Sequence, residues 1–138
     1  MGMDQFWITL LSIATGAGGY LITTFWMRSI FLYRNIKYKV ASDLVFFANT
    51  LDLKKLDGSY SDKTPARNEV YRRYASDIAA LYNNKLPFWY KLWLKLRKAD
   101  PKLASSELIG LSNESNREEA KLRIKNIKEY LKIPLDRP

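Results

Sequence analysis

An all-α protein with one N-terminal membrane helix is what this sequence predicts, on three observations. Residues 6–27 form a run of 22 without a charge. Lys and Arg, absent before Arg28, then supply all 23 positive side chains of the chain. Beyond that point apolar residues recur at three- and four-residue intervals, the period of a helix with one buried face. The predicted arrangement is a short extracytoplasmic leader (1–5), a transmembrane helix (6–27), a juxtamembrane helical stalk (28–56) and a small basic helical domain in the cytoplasm (57–138).

The span has the length a bilayer requires. At 1.5 Å per residue, 22 residues reach about 33 Å, enough for a hydrocarbon core of roughly 30 Å. Trp7 and Trp26 stand at its two ends, where indoles favour the membrane–water interface. A cleaved signal peptide fits poorly, because Asp4 stands where a basic leader is needed. Arg28, Arg34, Lys37 and Lys39 follow the span directly. The positive-inside rule therefore places the N-terminus outside, the remainder in the cytoplasm and the chain in the cell's inner (plasma) membrane. On this topology the Asn113-Glu114-Ser115 sequon is a surface loop that meets no glycosylation enzyme.

Within the span, Ser12, Gly16, Gly19 and Thr23 recur at intervals of four, three and four. This puts small residues along one face, where two backbones can approach, and points to a homo-oligomer. The Gly16-x-Gly18-Gly19 cluster is not a nucleotide loop, since no strand precedes it and the third glycine is out of place.

No Gly or Pro interrupts residues 21–57, so the membrane helix is expected to continue into the stalk, with Ile36, Val40, Leu44, Phe47 and Leu51 as its apolar stripe. A polar loop follows at 56–63. Thr64-Pro65 reads as an N-cap and first helical position. The helix after it carries Tyr71, Tyr74, Ile78 and Leu81 on one face and the ladder Glu69, Arg73, Asp77 on another, ending near Asn83-Asn84 and Pro87. Over 89–98, Trp89, Leu92, Trp93 and Leu96 gather on one side and Lys91, Lys95 and Lys98 on the other. Two readings stand: a core helix with its lysines in water, or an interfacial helix with Trp89 and Trp93 in an anionic leaflet beside the level of Trp7 or Trp26. A short helix over 106–111 comes next. Ser115-x-x-Glu118 is a capping box, and Ala120, Ile124, Ile127 and Leu131 define a final helix stopped by Pro134, with Glu119 and Arg123 paired on its exposed side.

The functional readings begin from exclusions. With no Cys and no His the chain has no thiol nucleophile, no imidazole base and no ordinary zinc site, so no enzyme, cofactor or metal is expected. Residues 28–138 hold 23 basic against 13 acidic side chains, a net +10 that favours anionic lipid, nucleotide, nucleic acid or an acidic protein as partner. Arg67, Arg72 and Arg73, with Lys91, Lys95 and Lys98, are the candidate residues for anions or lipid headgroups.

The segment Ser105-Ser106-Glu107-Leu108-Ile109-Gly110-Leu111-Ser112-Asn113 resembles a motif of uncharacterised small bacterial proteins with one N-terminal span and a helical cytoplasmic part. The resemblance implies bacterial origin and that layout; Gly110 within it marks a helix end or a close packing contact. The expected function is a non-enzymatic, self-associating membrane tether. The alternative is a membrane effector whose basic domain senses an anionic nucleotide or nucleic acid and perturbs the bilayer.

Overall fold

The computed structural model describes the backbone of residues 2–53 and 64–134 and the side chains of 2–47 and 66–134. Every element among them is helical. Helix α1 (Met3–Leu21) passes through a π-helical turn (Ile22–Met27) into α2 (Arg28–Leu53) without a break. The chain then forms α3 (Thr64–Ala80), a second π-helical turn (Leu81–Lys85), α4 (Phe88–Leu96), α5 (Pro101–Asn113) and α6 (Arg117–Leu131). One helix of this set, through α1 and into α2, is long and apolar enough to cross a membrane.

The expected polar loop at 56–63 and the Leu51 side chain lie outside the described residues. The start of α3 at Thr64 agrees with the Thr-Pro signal.

No residue of α1 is buried. Its hydroxyls turn back on its own carbonyls: Thr9 Oγ1 donates to Gln5 O at 2.9 Å, Ser12 Oγ to Ile8 O at 2.8 Å, and Thr15 Oγ1 to Leu11 O at 2.7 Å; in the π-helical turn Thr23 Oγ1 donates to Gly19 O at 2.8 Å. The polar groups are thus satisfied inside the helix, as an apolar solvent requires.

From Arg28 onward the same helix belongs to a packed body. Ile30, Tyr33, Val40 and Leu44 are buried with Tyr71, Ala75 and Ile78 of α3, Leu108 and Leu111 of α5, and Ile127 and Leu131 of α6, in one continuous core. The segment expected as a stalk is therefore a core helix over the part whose side chains are described. Each fully buried aliphatic side chain there contributes about 1.5–3 kcal/mol of transfer free energy. The predicted stripe is correct at Val40 and Leu44, with Ile36 and Phe47 half-buried at its margin.

Helix α5 is longer than the expected 106–111. Asp100 accepts from the Lys102 and Leu103 amides, both at 3.1 Å, and Pro101 occupies the first helical position, so nucleation happens five residues earlier. The capping box is displaced by one residue: Asn116, not Ser115, caps α6, accepting from the Glu118 amide at 3.0 Å. Arg123 does not pair along its own helix with Glu119. It reaches across to α5, with Nη1 3.0 Å from Glu107 Oε2 and Nε 3.3 Å from Glu114 Oε2.

Those last contacts explain the 105–113 motif as packing chemistry. Ser105 Oγ donates to Ala75 O at 2.8 Å, joining α5 to α3. Leu108 and Leu111 enter the core. The Arg123 guanidinium lies over Gly110, where a Cβ would collide with it. At the end of the motif Arg72 Nη2 donates to Asn113 Oδ1 at 2.6 Å and Nε to Ser112 Oγ at 3.2 Å. Gly110 is therefore a mid-helix point of close approach rather than a helix end.

Candidate functional site

Side chains of α2 at positions 30, 33, 34, 37 and 38 share one side of the helix, because they are spaced by three and four. Ile30 and Tyr33 turn inward, while Arg34, Lys37 and Tyr38 stand at the edge of the core. Helix α4 supplies the facing wall. Its contacts with the long helix are ordered: Trp89 meets Trp26 edge-to-face at 6.3 Å, Tyr90 meets Tyr33 at 6.2 Å, and Trp93, Leu94 and Arg97 stand across from Arg34, Lys37 and Tyr38. The end of α6 closes the third side with Leu131 and Lys132. The result is a cleft of about 460 Å³, in the size range of small-ligand sites.

Four cations line this cleft, Arg34, Lys37, Arg97 and Lys132, and no carboxylate does. Lys132 caps α6 in the left-handed conformation at φ 51°, and its carbonyl accepts from Lys37 Nζ at 3.0 Å. Arg97 stacks on the Trp93 ring at 4.7 Å from its centroid, a cation–π contact that holds the guanidinium at the rim. Arg34 hydrogen-bonds the Tyr38 hydroxyl, which lowers the Tyr38 pKa. Burial draws the Lys37 ammonium below its ordinary range, and the Arg97 and Arg34 guanidiniums push the same way. Asp100, whose charge acts weakly on Tyr33, is occupied as the cap of α5.

Tyr33 is 2% exposed, and its hydroxyl is buried without a hydrogen-bond partner. Buried hydroxyls are almost always paired, since leaving one unpaired costs about 1–3 kcal/mol. Burial pushes its phenol well above the ordinary tyrosine range. Tyr33, a residue of the cleft lining, therefore carries a buried donor with no acceptor, and the cations of that lining have no carboxylate among them.

The residues singled out from sequence lie elsewhere. Arg72 is engaged by Ser112 and Asn113, Arg67 rests against Asn68, and Arg73 is exposed on α3. Lys91 donates to Asn83 O at 3.1 Å and lies over the Tyr82 ring, while Lys95 and Lys98 are exposed. None of these six lines the cleft. In α4 the buried residues are Tyr90 and Leu94, so the expected core face is turned outward: Leu96 is 76% exposed and Trp89 and Trp93 are almost half exposed. Phe88, 80% exposed, joins Trp89 at the start of that helix, beside Trp26.

Ser12, Gly16, Gly19 and Thr23 are all exposed, and nothing approaches within 4 Å of a Cβ built on either glycine. In the sequence Arg34 and Lys37 were legible only as a topology signal; their spacing with Tyr33 and Tyr38 puts all four on one side of α2. Arg97 and Lys132 join them only through the tertiary fold. Compared with models of protein families, with curated proteins and with solved structures, the chain matches none.

Proposed function

We propose that this chain is a non-enzymatic, single-pass membrane tether that holds a basic helical body against the cytoplasmic leaflet of the plasma (inner) membrane. The observation that supports this reading is the unbroken passage from α1, which buries nothing, into α2, which is part of the core. A hydrophobic helix without a protein partner on any side needs an apolar solvent. Because no loop separates anchor from body, the body's distance and orientation follow the anchor's.

The aromatic residues fit this placement. Trp26 packs on Trp89, whose chain neighbour Phe88 is exposed, and these aromatics serve as the interfacial belt where the span leaves the hydrocarbon. Helix α4 climbs from that level alongside α2, so its first turn, rather than its whole length, contacts the leaflet. The basic flank beginning at Arg28 supports an outside N-terminus. The open Ser12, Gly16, Gly19 and Thr23 face supports self-association between anchors.

Membrane fractionation at alkaline pH tests the reading. The full chain is expected to stay with the membrane pellet, and a chain lacking residues 1–27 to move to the supernatant. Retention of the truncated chain would transfer the anchoring role to Phe88 and Trp89. A reporter on the C-terminus that is active only outside the cytoplasm should be silent; activity there reverses the topology.

A further inference from the structure

We propose that the cleft between α2, α4 and the end of α6 binds a phosphate monoester through Arg34, Lys37, Arg97 and Lys132. The charge pattern selects the ligand. Several cations without a lining carboxylate fit a multiply charged anion better than a single carboxylate. Guanidinium forks such as Arg34 and Arg97 grip phosphate oxygens bidentately. The aromatic wall, with Trp93 under Arg97 and Tyr38 on Arg34, holds those forks in place before any ligand arrives. Tyr33 adds a further observation: it is one of the residues that line the cleft, and its hydroxyl is buried without a partner. Its volume of about 460 Å³ admits a headgroup-sized molecule.

The ligand has two sources, a free soluble phosphate ester or the headgroup of an acidic phospholipid. Arg34 lies eight residues beyond Trp26, about 12 Å along the helix, so with Trp26 at the interface the cleft opens at the aqueous edge of the headgroups. The cleft belongs to the packed body, so binding there does not depend on the tethering reading.

The test uses the full chain in micelles of an uncharged detergent, titrated by calorimetry with glycerol 3-phosphate and, separately, with dioctanoyl phosphatidic acid. Saturable binding of at least one is expected. Binding of both identifies the phosphate group alone as sufficient; binding of the lipid only identifies the membrane source. The triple variant Arg34→Gln, Lys37→Gln, Arg97→Gln should bind at least tenfold more weakly. The triple variant Lys91→Gln, Lys95→Gln, Lys98→Gln removes the same charge outside the cleft and should change affinity less than twofold. If the first triple loses its helical signal, Arg97→Gln alone, exposed at the rim, should weaken binding at least threefold. No saturable binding of either probe, or equal losses in the two triples, overturns the proposal.

Discussion

Helices α1 and α2 are one continuous rod, yet they solve opposite problems. In α1 apolar residues surround the helix and none is buried; in α2 one stripe is buried and the other sides are exposed. Backbone geometry cannot account for the difference, because the helix is common to both. What changes is the partner: α2 shares a core with α3, α5 and α6, whereas α1 buries no side chain among the described residues. The contrast teaches that exposed apolar surface carries information only when it is complete around a helix, since a body helix also leaves Phe31, Leu32 and Phe46 exposed.

Leucines in the two halves break or sharpen this contrast most directly. Leu44→Ala, at a fully buried position, should destabilise the body by about 2–5 kcal/mol in thermal or denaturant unfolding. Leu11→Ala, at an exposed position in α1, should leave that transition within about 0.5 kcal/mol of the parent. A comparable loss from Leu11→Ala would mean that α1 is packed on something after all.

Alkaline pH probes the body next. Burial, with the hydrogen bond to Asp43 as a further cause, pushes the Tyr74 phenol from 10.0 up to about 12, and burial raises Tyr71 and Tyr33 as well. A raised folded-state pKa means that the folded chain holds these protons more tightly. The stability they contribute is complete below pH 10 and falls as pH climbs above it, the share of Tyr74 being lost through about pH 12. Helical signal and tyrosinate absorbance, followed together, should change cooperatively in that window; full ionisation of all tyrosines near pH 10 with the fold intact would contradict the assignment.

Two tyrosines of the body differ in sign. Tyr74 Oη donates to Asp43 Oδ2 at 2.7 Å, so Tyr74→Phe should cost about 1 kcal/mol. The Tyr33 hydroxyl has no partner, so without ligand Tyr33→Phe should be neutral or stabilising by up to about 1 kcal/mol. Equal losses from both would show that Tyr33 has an acceptor after all. Gly110→Ala should cost up to about 1 kcal/mol, because the added Cβ displaces the Arg123 guanidinium from Glu107 and Glu114, a loss that improved helix propensity offsets in part. Urea unfolding of the two chains measures it.

Much of the layout was legible. The uncharged run at 6–27, the flanking tryptophans and the helix signals at Thr64-Pro65 and Pro134 depend on neighbours close in sequence. The sequence left the α4 face open between a core and an interfacial reading for a physical reason: Trp89, Leu92, Trp93 and Leu96 are the larger apolar set, but burial follows the partners available. Tyr90 and Leu94 face α2, so they are the ones covered. The motif at 105–113 carried no visible chemistry because its polar residues serve Arg72, Arg123 and Ala75, all distant in sequence.

By itself the sequence determined the helical class, the position and length of the apolar span and the crowding of positive charge after Arg28, since each is set by residues within a few turns of one another. Only the tertiary structure decided that α2 is core rather than stalk, that α4 shows its tryptophans to the outside, and that Arg34 and Lys37 meet Arg97 and Lys132. These depend on which helices pack together, and that is settled by the shared burial of side chains far apart in sequence.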